Sequence, residues 1–214
     1  MVRFMAGRQD ARSVYQAPWD ASGAPALFLT RPGGLDVLDA LPDGRVLAQV
    51  SGNALVLLGP GANDSSVTVV DGAVEPDAAR VSPDGRWVAY SATELGRREV
   101  FVRPIDGSGS RWQISRNGGD RPAWSRSGRE LFFYSDDSIR VAALGRGPGF
   151  QASEPRPLIR LVNDPGFAGF DVLPGDSLFV LYANSSGSRV RIIVIANFLS
   201  ELRALTGSPR ADAP

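Results

Sequence analysis

Short apolar runs punctuated by polar, Gly- and Pro-containing stretches make up the chain as far as about residue 195. The runs are only a few residues long and rich in aromatic and β-branched side chains, which suits strands better than helices. Four of them are preceded by the same punctuation. Leu41-Pro42-Asp43-Gly44-Arg45 stands before Val46-Leu47-Ala48, and Val81-Ser82-Pro83-Asp84-Gly85-Arg86 before Trp87-Val88-Ala89-Tyr90. Trp124-Ser125-Arg126-Ser127-Gly128-Arg129 leads into Glu130-Leu131-Phe132-Phe133-Tyr134, and a degraded copy, Val172-Leu173-Pro174-Gly175-Asp176-Ser177, into Leu178-Phe179-Val180-Leu181-Tyr182. Pro presets φ, Asp can bond back to nearby backbone N–H groups, and Gly tolerates positive φ, so each copy predicts a tight turn between two strands.

Gly44, Gly85, Gly128 and Asp176 stand 41, 43 and 48 residues apart. Within that period further strands are expected. In the second repeat Arg98–Arg103 follows a polar loop, Pro104-Ile105-Asp106-Gly107-Ser108-Gly109 makes a turn, and Arg111–Ser115 closes the unit. Similar runs occur at 54–58 and 67–70, and at 139–144 and 156–159. Four short strands in a period of about 40–50 residues predict an all-β β-propeller of four-stranded antiparallel blades. The ends are less regular: runs at 2–5, 13–16 and 26–29 read as a blade lacking its first strand, and no fourth strand follows 189–195. About five blade equivalents are therefore expected, with incomplete end blades, in a single complete or partial propeller spanning residues 1–205. Either the terminal strands complete one another, or the chain is the C-terminal part of a larger propeller. The second is favoured, and it implies self-association through open sheet edges.

A short C-terminal helix is expected from Asn197, which can cap it, with Phe198, Leu199, Leu202 and Leu205 on one face. That face either packs on the last blade or docks a partner. Residues 206–214 are expected to be a disordered tail.

Composition narrows the chemistry. Of 214 residues 43% are apolar and 21% charged, ordinary for a globular chain, and 23 Arg, with no Lys, balance 23 Asp and Glu, leaving no net field for nucleic acid or anionic lipid. The chain has no His and no Cys, which removes the commonest general base, the thiolate ligands and nucleophiles, and the Ser-His-Asp arrangement. No stretch approaches the roughly 20 apolar residues of a membrane span, and MVRFMAGRQDARS lacks the apolar core of a signal peptide. The expectation is a soluble chain, cytoplasmic by itself and extracytoplasmic within a membrane-anchored parent.

The Ser82-Pro83-Asp84-Gly85 signature resembles the TolB-like, WD-repeat-like propeller repeats. From about Ala79 to Leu205 the order RVSPDGRWVAYSATELGRREVFVRPIDG, RWQISRNGGDRPAWSRSGRELFFYSDDSIRVAAL and GFQASEPRPLI is similar to the C-terminal propeller region of bacterial serine/threonine protein kinases. Asn197–Leu202 resembles that family's terminal Asn-Trp-Phe-Glu-Glu-Leu element, with Phe198 where Trp is usual. Ser127 replaces the motif's Asp, and Gly175-Asp176 inverts it. The resemblance implies a sensor or interaction region distal to a kinase. None of the kinase's Gly-rich loop, His-Arg-Asp or Asp-Phe-Gly is present, so phosphoryl transfer is not expected of this chain.

The remaining candidates have ordinary structural readings. Trp87, Trp112 and Trp124 are expected to pack between blades rather than line a pocket. Asp136-Asp137 reads as a hairpin turn, since the alternating-oxygen calcium loop occurs nowhere, and Asp106–Ser110 reads as a hairpin connection, since no helix follows to hold phosphate. The sequons at Asn63 and Asn184 carry no weight. A non-catalytic module without cofactor or metal is expected, binding a protein, peptide or small molecule at the propeller face. The alternatives are the gating propeller of a prolyl-oligopeptidase-like hydrolase without its catalytic domain, and a TolB-type periplasmic translocation component.

Overall fold

The computed structural model describes residues 2–8, 11–18, 20, 22–30, 35–41, 43–50, 53–59, 66–71, 75–145, 149–161, 167–173, 177–183 and 190–195. Among them all regular structure is strand, arranged in five antiparallel sheets in chain order. β1 (Val2–Arg8), β2 (Ala11–Ala17) and β3 (Ala26–Thr30) form the first. β4 (Leu35–Ala40), β5 (Val46–Val50), β6 (Leu55–Leu58) and β7 (Val67–Val70) form the second. The third consists of β8 (Asp77–Val81), β9 (Trp87–Glu94), β10 (Arg97–Pro104) and β11 (Trp112–Gln113). β12 (Asp120–Trp124), β13 (Glu130–Ser135), β14 (Ser138–Ala143) and β15 (Arg156–Arg160) make the fourth. The last contains β16 (Phe167–Leu173), β17 (Ser177–Ala183) and β18 (Val190–Ile195). Three sheets thus have four strands, and the first and last have three among the described residues.

The near-continuous apolar runs are explained by burial on both faces of a sheet. Successive side chains point to opposite faces, so in β5 Val46 and Ala48 join one cluster while Leu47 joins another. β6 repeats the pattern, with Val56 and Leu58 on one side and Leu55 and Leu57 on the other. Val14, Phe28, Leu29 and Leu35 complete the seam between the first two sheets. Val69, Val88, Tyr90, Ala92 and Phe101 fill the seam between the second and third, where Tyr90 and Phe101 stack at 5.8 Å. Polar bonds cross this seam too: Val81 N–H donates to Asp39 Oδ2 at 2.8 Å, and the Gln49 amide to the Pro76 carbonyl at 2.8 Å.

The chain divides into two compact units, Met1–Pro122 and Ala123–Pro214, with the division inside β12. Asp120 to Pro122 therefore belong with the first unit. In the second, Ala123, Phe132, Ile139, Val141, Leu161 and Val172 form the core.

The polar loop expected before Arg98 is strand instead. β9 runs to Glu94 and β10 starts at Arg97, leaving only Leu95-Gly96 as the turn. The ladder continues because Thr93 and Ala92 find cross-strand partners in Arg98 and Glu99, a register that composition does not reveal. The proposed helix with Phe198, Leu199, Leu202 and Leu205, and the tail after it, lie outside the described residues.

Candidate functional site

The repeated turn motif lies at one end of the sheets, and its polar groups bond to one another. In the second copy the Ser82 hydroxyl donates to Asp84 Oδ1 at 2.5 Å and accepts the Trp87 N–H at 2.9 Å. Gly85, at φ 70°, donates its N–H to the Ser82 carbonyl at 2.8 Å, and Arg86 N–H meets Asp84 Oδ1 at 3.1 Å. Pro83 sits exposed in the same turn. The third copy keeps the arrangement with Ser127 for Asp. Ser125 and Ser127 hydroxyls lie 3.1 Å apart, Glu130 N–H reaches Ser125 Oγ at 3.0 Å, and Gly128 takes φ 68°.

In the first copy Leu41 has no hydroxyl to offer, and the turn closes one residue earlier, Leu41 N–H to the Arg45 carbonyl at 2.9 Å. Gly44 takes φ 94°. Asp43 instead accepts from the Arg45 side chain at 2.8 Å, which with the Arg45 N–H holds its carboxyl below the usual carboxylate range. Pro42 and Pro174 lie outside the described residues. Trp87 follows the second copy at the start of β9, and Trp124 precedes the third at the end of β12. Trp87 meets Trp112 edge to face at 5.5 Å with the Arg86 guanidinium 5.7 Å from its ring, while Trp124 is buried.

The opposite end of the third sheet is chemically richer. In an antiparallel meander the start of β8, the end of β9, the start of β10 and the end of β11 all come to one edge. Asp77 opens β8 and Asp120 opens β12, and each is followed by a residue at positive φ, Ala78 at 46° and Arg121 at 53°. Each carboxylate accepts that residue's N–H, at 2.7 and 2.8 Å. Arg98 spans the two, 3.2 Å from Asp77 Oδ2 and 3.3 Å from Asp120 Oδ1, and the Ser91 hydroxyl donates to Asp120 Oδ1 at 2.8 Å. These groups are part-exposed, so each ion pair contributes at most about 1 kcal/mol. The cluster was absent from the sequence reading, yet a signal exists: Asp36, Asp77 and Asp120 each stand five residues before the first position of a turn motif, Leu41, Ser82 and Ser125.

Next to this cluster a groove of about 310 Å³ is lined by Glu94, Leu95, Arg97, Glu99, Gln113 and Arg116. Glu99 is buried, at 5% exposure, and both carboxylate oxygens are used. One accepts the Ser115 hydroxyl and the other the Gly118 N–H at 2.9 Å. Ser115 Oγ in turn accepts the Val100 N–H at 2.8 Å. Gly119 fits here because a Cβ would lie 2.6 Å from Ser115 Oγ. Glu94 is paired with Arg111. Among the described residues no group of three or more Asp, Glu, His or Cys is placed to hold a metal ion. Asp136 and Asp137, at φ 49° and 53°, form the two-residue turn between β13 and β14. Asp106 bonds the Ser108 hydroxyl and N–H, at 2.7 and 2.9 Å, in the connection between β10 and β11.

No family model matches the sequence, and no curated protein matches it. Solved structures do. TolB from Acinetobacter baumannii is 15% identical with a TM-score of 0.62, over 86% of this chain and 46% of its own. A TolB-type protein of Agrobacterium tumefaciens is 15% identical with a TM-score of 0.60, over 92% of this chain and 73% of its own. A puromycin-hydrolysing peptidase of Mycobacterium tuberculosis is 21% identical with a TM-score of 0.53, over 90% of this chain and 36% of its own. The chain thus spans about half the length of the Acinetobacter protein and about a third of the peptidase. At these identities the likeness is one of fold, and the fold is the β-propeller.

Proposed function

We propose that this chain is a non-catalytic binding or scaffold module, the C-terminal interaction region of a bacterial kinase-like protein. The observation that carries the reading is how the polar groups are used. Ser82 and Ser125 are turn ligands, Glu99 anchors a loop, and Asp77, Asp120, Ser91 and Arg98 bind one another. A nucleophile needs an adjacent base free to take its proton, and these hydroxyls and carboxylates instead satisfy backbone and each other. Beside them lie a groove and a fully exposed Leu95, features suited to contact. The kinase assignment draws on the order of pieces from Ala79 to Leu205.

A second reading is supported by the Mycobacterium peptidase, most of this chain matching about a third of it. In that reading the chain is the gating propeller of a hydrolase. The two separate in the reading frame that contains these residues. A kinase domain upstream is expected, whereas a hydrolase domain with a Gly-x-Ser-x-Gly elbow downstream favours the alternative. Robust turnover of a peptide, ester or nucleotide substrate by the purified chain would overturn the non-catalytic reading.

A further inference from the structure

Four times among the described residues Asp or Asn stands directly before Gly, and one of the four differs from the rest. At Asp43-Gly44, Asp84-Gly85 and Asp106-Gly107 the carboxylate accepts the N–H two residues on, at 3.0, 3.1 and 2.9 Å. In each of these turns the glycine N–H donates to a backbone carbonyl, that of Leu41, Ser82 or Pro104. At Asn117-Gly118 the side chain is an amide, it is exposed, and it bonds none of the described residues. The Gly118 N–H donates instead to a carboxylate oxygen of Glu99, at 2.9 Å.

Asn before Gly carries its own electrophile and nucleophile. The Gly118 nitrogen can attack Asn117 Cγ: the N–Cγ bond forms, the Cγ–Nδ2 bond breaks, and ammonia leaves with the proton that the Gly118 nitrogen gives up. Water then opens the five-membered succinimide at either carbonyl. The product is aspartate, or an isoaspartyl link in which the main chain runs through the former side chain. No oxidant, reductant or further group is needed. The step is intramolecular, so its rate depends on how freely the nitrogen reaches the carbonyl carbon. Gly118 has no side chain to obstruct it, and even a Cβ there would meet nothing within 4 Å.

Glu99 opposes the step in two ways. A hydrogen bond to the neutral N–H favours it over the deprotonated form, and a negative charge beside the nitrogen adds to that preference. The bond also fixes the nitrogen in place. Glu99 is 5% exposed, and its other oxygen accepts the Ser115 hydroxyl, whose oxygen holds the Val100 N–H at 2.8 Å. On the far side the Gly119 N–H is tied to the Arg98 carbonyl at 2.9 Å. The reactive pair thus lies at the surface, while its restraint is buried in the sheet.

We propose that Asn117-Gly118 is a self-modification site, converting to aspartate or isoaspartate through a succinimide, and that the buried Glu99 carboxylate holds it shut until the loop opens. Each opening of residues 115–119 exposes the pair to cyclisation, so conversion records how often this loop lets go. The change runs one way. An isoaspartyl link adds a carbon to the main chain between the anchors at Ser115 and Gly119, and either product puts a new carboxylate on the residue preceding Gly118, against the charge of Glu99.

The test incubates the folded full chain at mildly alkaline pH, alongside the urea-unfolded chain and the folded Glu99→Gln and Glu99→Ala variants. Peptide mass spectrometry follows the amide-to-acid mass gain at Asn117. Folded wild type is expected to convert at least about tenfold more slowly than the unfolded chain, the factor carried by a hydrogen bond to a charged group. Glu99→Gln keeps an acceptor but loses the charge, and is expected to convert severalfold faster than wild type, with Glu99→Ala faster still. Protected Tyr90 and Phe101 amides in the same samples show that the sheet stays folded, and Glu99→Gln carries the test where the alanine variant does not. Folded wild type converting as fast as the unfolded chain would overturn the proposal, as would Asn117 surviving unchanged in urea. A folded Glu99→Gln chain converting no faster than wild type would also overturn it, and one converting more slowly would assign Glu99 the opposite role, a base that takes the Gly118 proton.

Discussion

Gly107 and Gly85 occupy turns of the same sheet at nearly the same backbone angle, φ 75° and 70°, yet their surroundings differ. A Cβ on Gly85 would meet nothing within 4 Å, whereas one on Gly107 would lie 2.5 Å from the Thr68 carbonyl oxygen of the neighbouring sheet. Gly85→Ala therefore incurs only the left-handed backbone penalty, about 1 kcal/mol. Gly107→Ala adds a clash with backbone that cannot swing away, and its expected loss exceeds about 2 kcal/mol. Urea unfolding of the two variants measures both, and equal losses would contradict the packing of the β10–β11 turn against β7. The sequence announces both glycines as turn residues, because a turn motif is local. It cannot say which one touches a neighbouring sheet, because Thr68 and Gly107 are brought together only by the stacking of sheets.

At the scale of elements, the β11–β12 connection is organised by one buried carboxylate. Glu99 binds Ser115 and Gly118, and the Gly119 N–H donates to the Arg98 carbonyl at 2.9 Å. Removing it in Glu99→Ala leaves the Gly118 N–H without its acceptor. The Gly118 amide is then expected to exchange with solvent at least about tenfold faster, while the Tyr90 and Phe101 amides in the strands change little. Unchanged exchange at Gly118 would mean that the loop is held by something else. Strand identity was legible here, because Trp87–Tyr90 and Val100–Val102 are dense in apolar residues. The full hairpin was not. Ser91 to Glu94 and Arg97 look like loop by composition, and become strand through cross-strand pairing. The same blindness hid Leu95, which reads as one apolar residue in a polar loop until the register places it alone at the tip.

For the whole molecule, the recurring turn motif was enough to read the fold class, since each copy marks the hairpin between the first two strands of a sheet. The apolar runs at 2–5, 13–16 and 26–29 correspond to the three strands described for the first sheet. The cluster of Asp77, Ser91, Arg98 and Asp120 was harder to see. Its members are separated by up to 43 residues and meet because antiparallel strands return to one edge and the next sheet begins there. Repeated architecture separates these tasks: the motif that repeats keeps the sheets alike, and the residues that differ between copies, Leu95 against Asp136, give each sheet its own surface.

The repeat itself is tested most directly by residue-resolved amide hydrogen exchange over the full chain. Slow exchange is expected in β5, β6, β9, β10, β13 and β14, recurring at the 41- and 43-residue spacing of Gly44, Gly85 and Gly128 and interrupted at each hairpin. A protected run of about ten or more residues passing unbroken through a turn motif, as a helix would give, or protection with no such recurrence, would contradict the account.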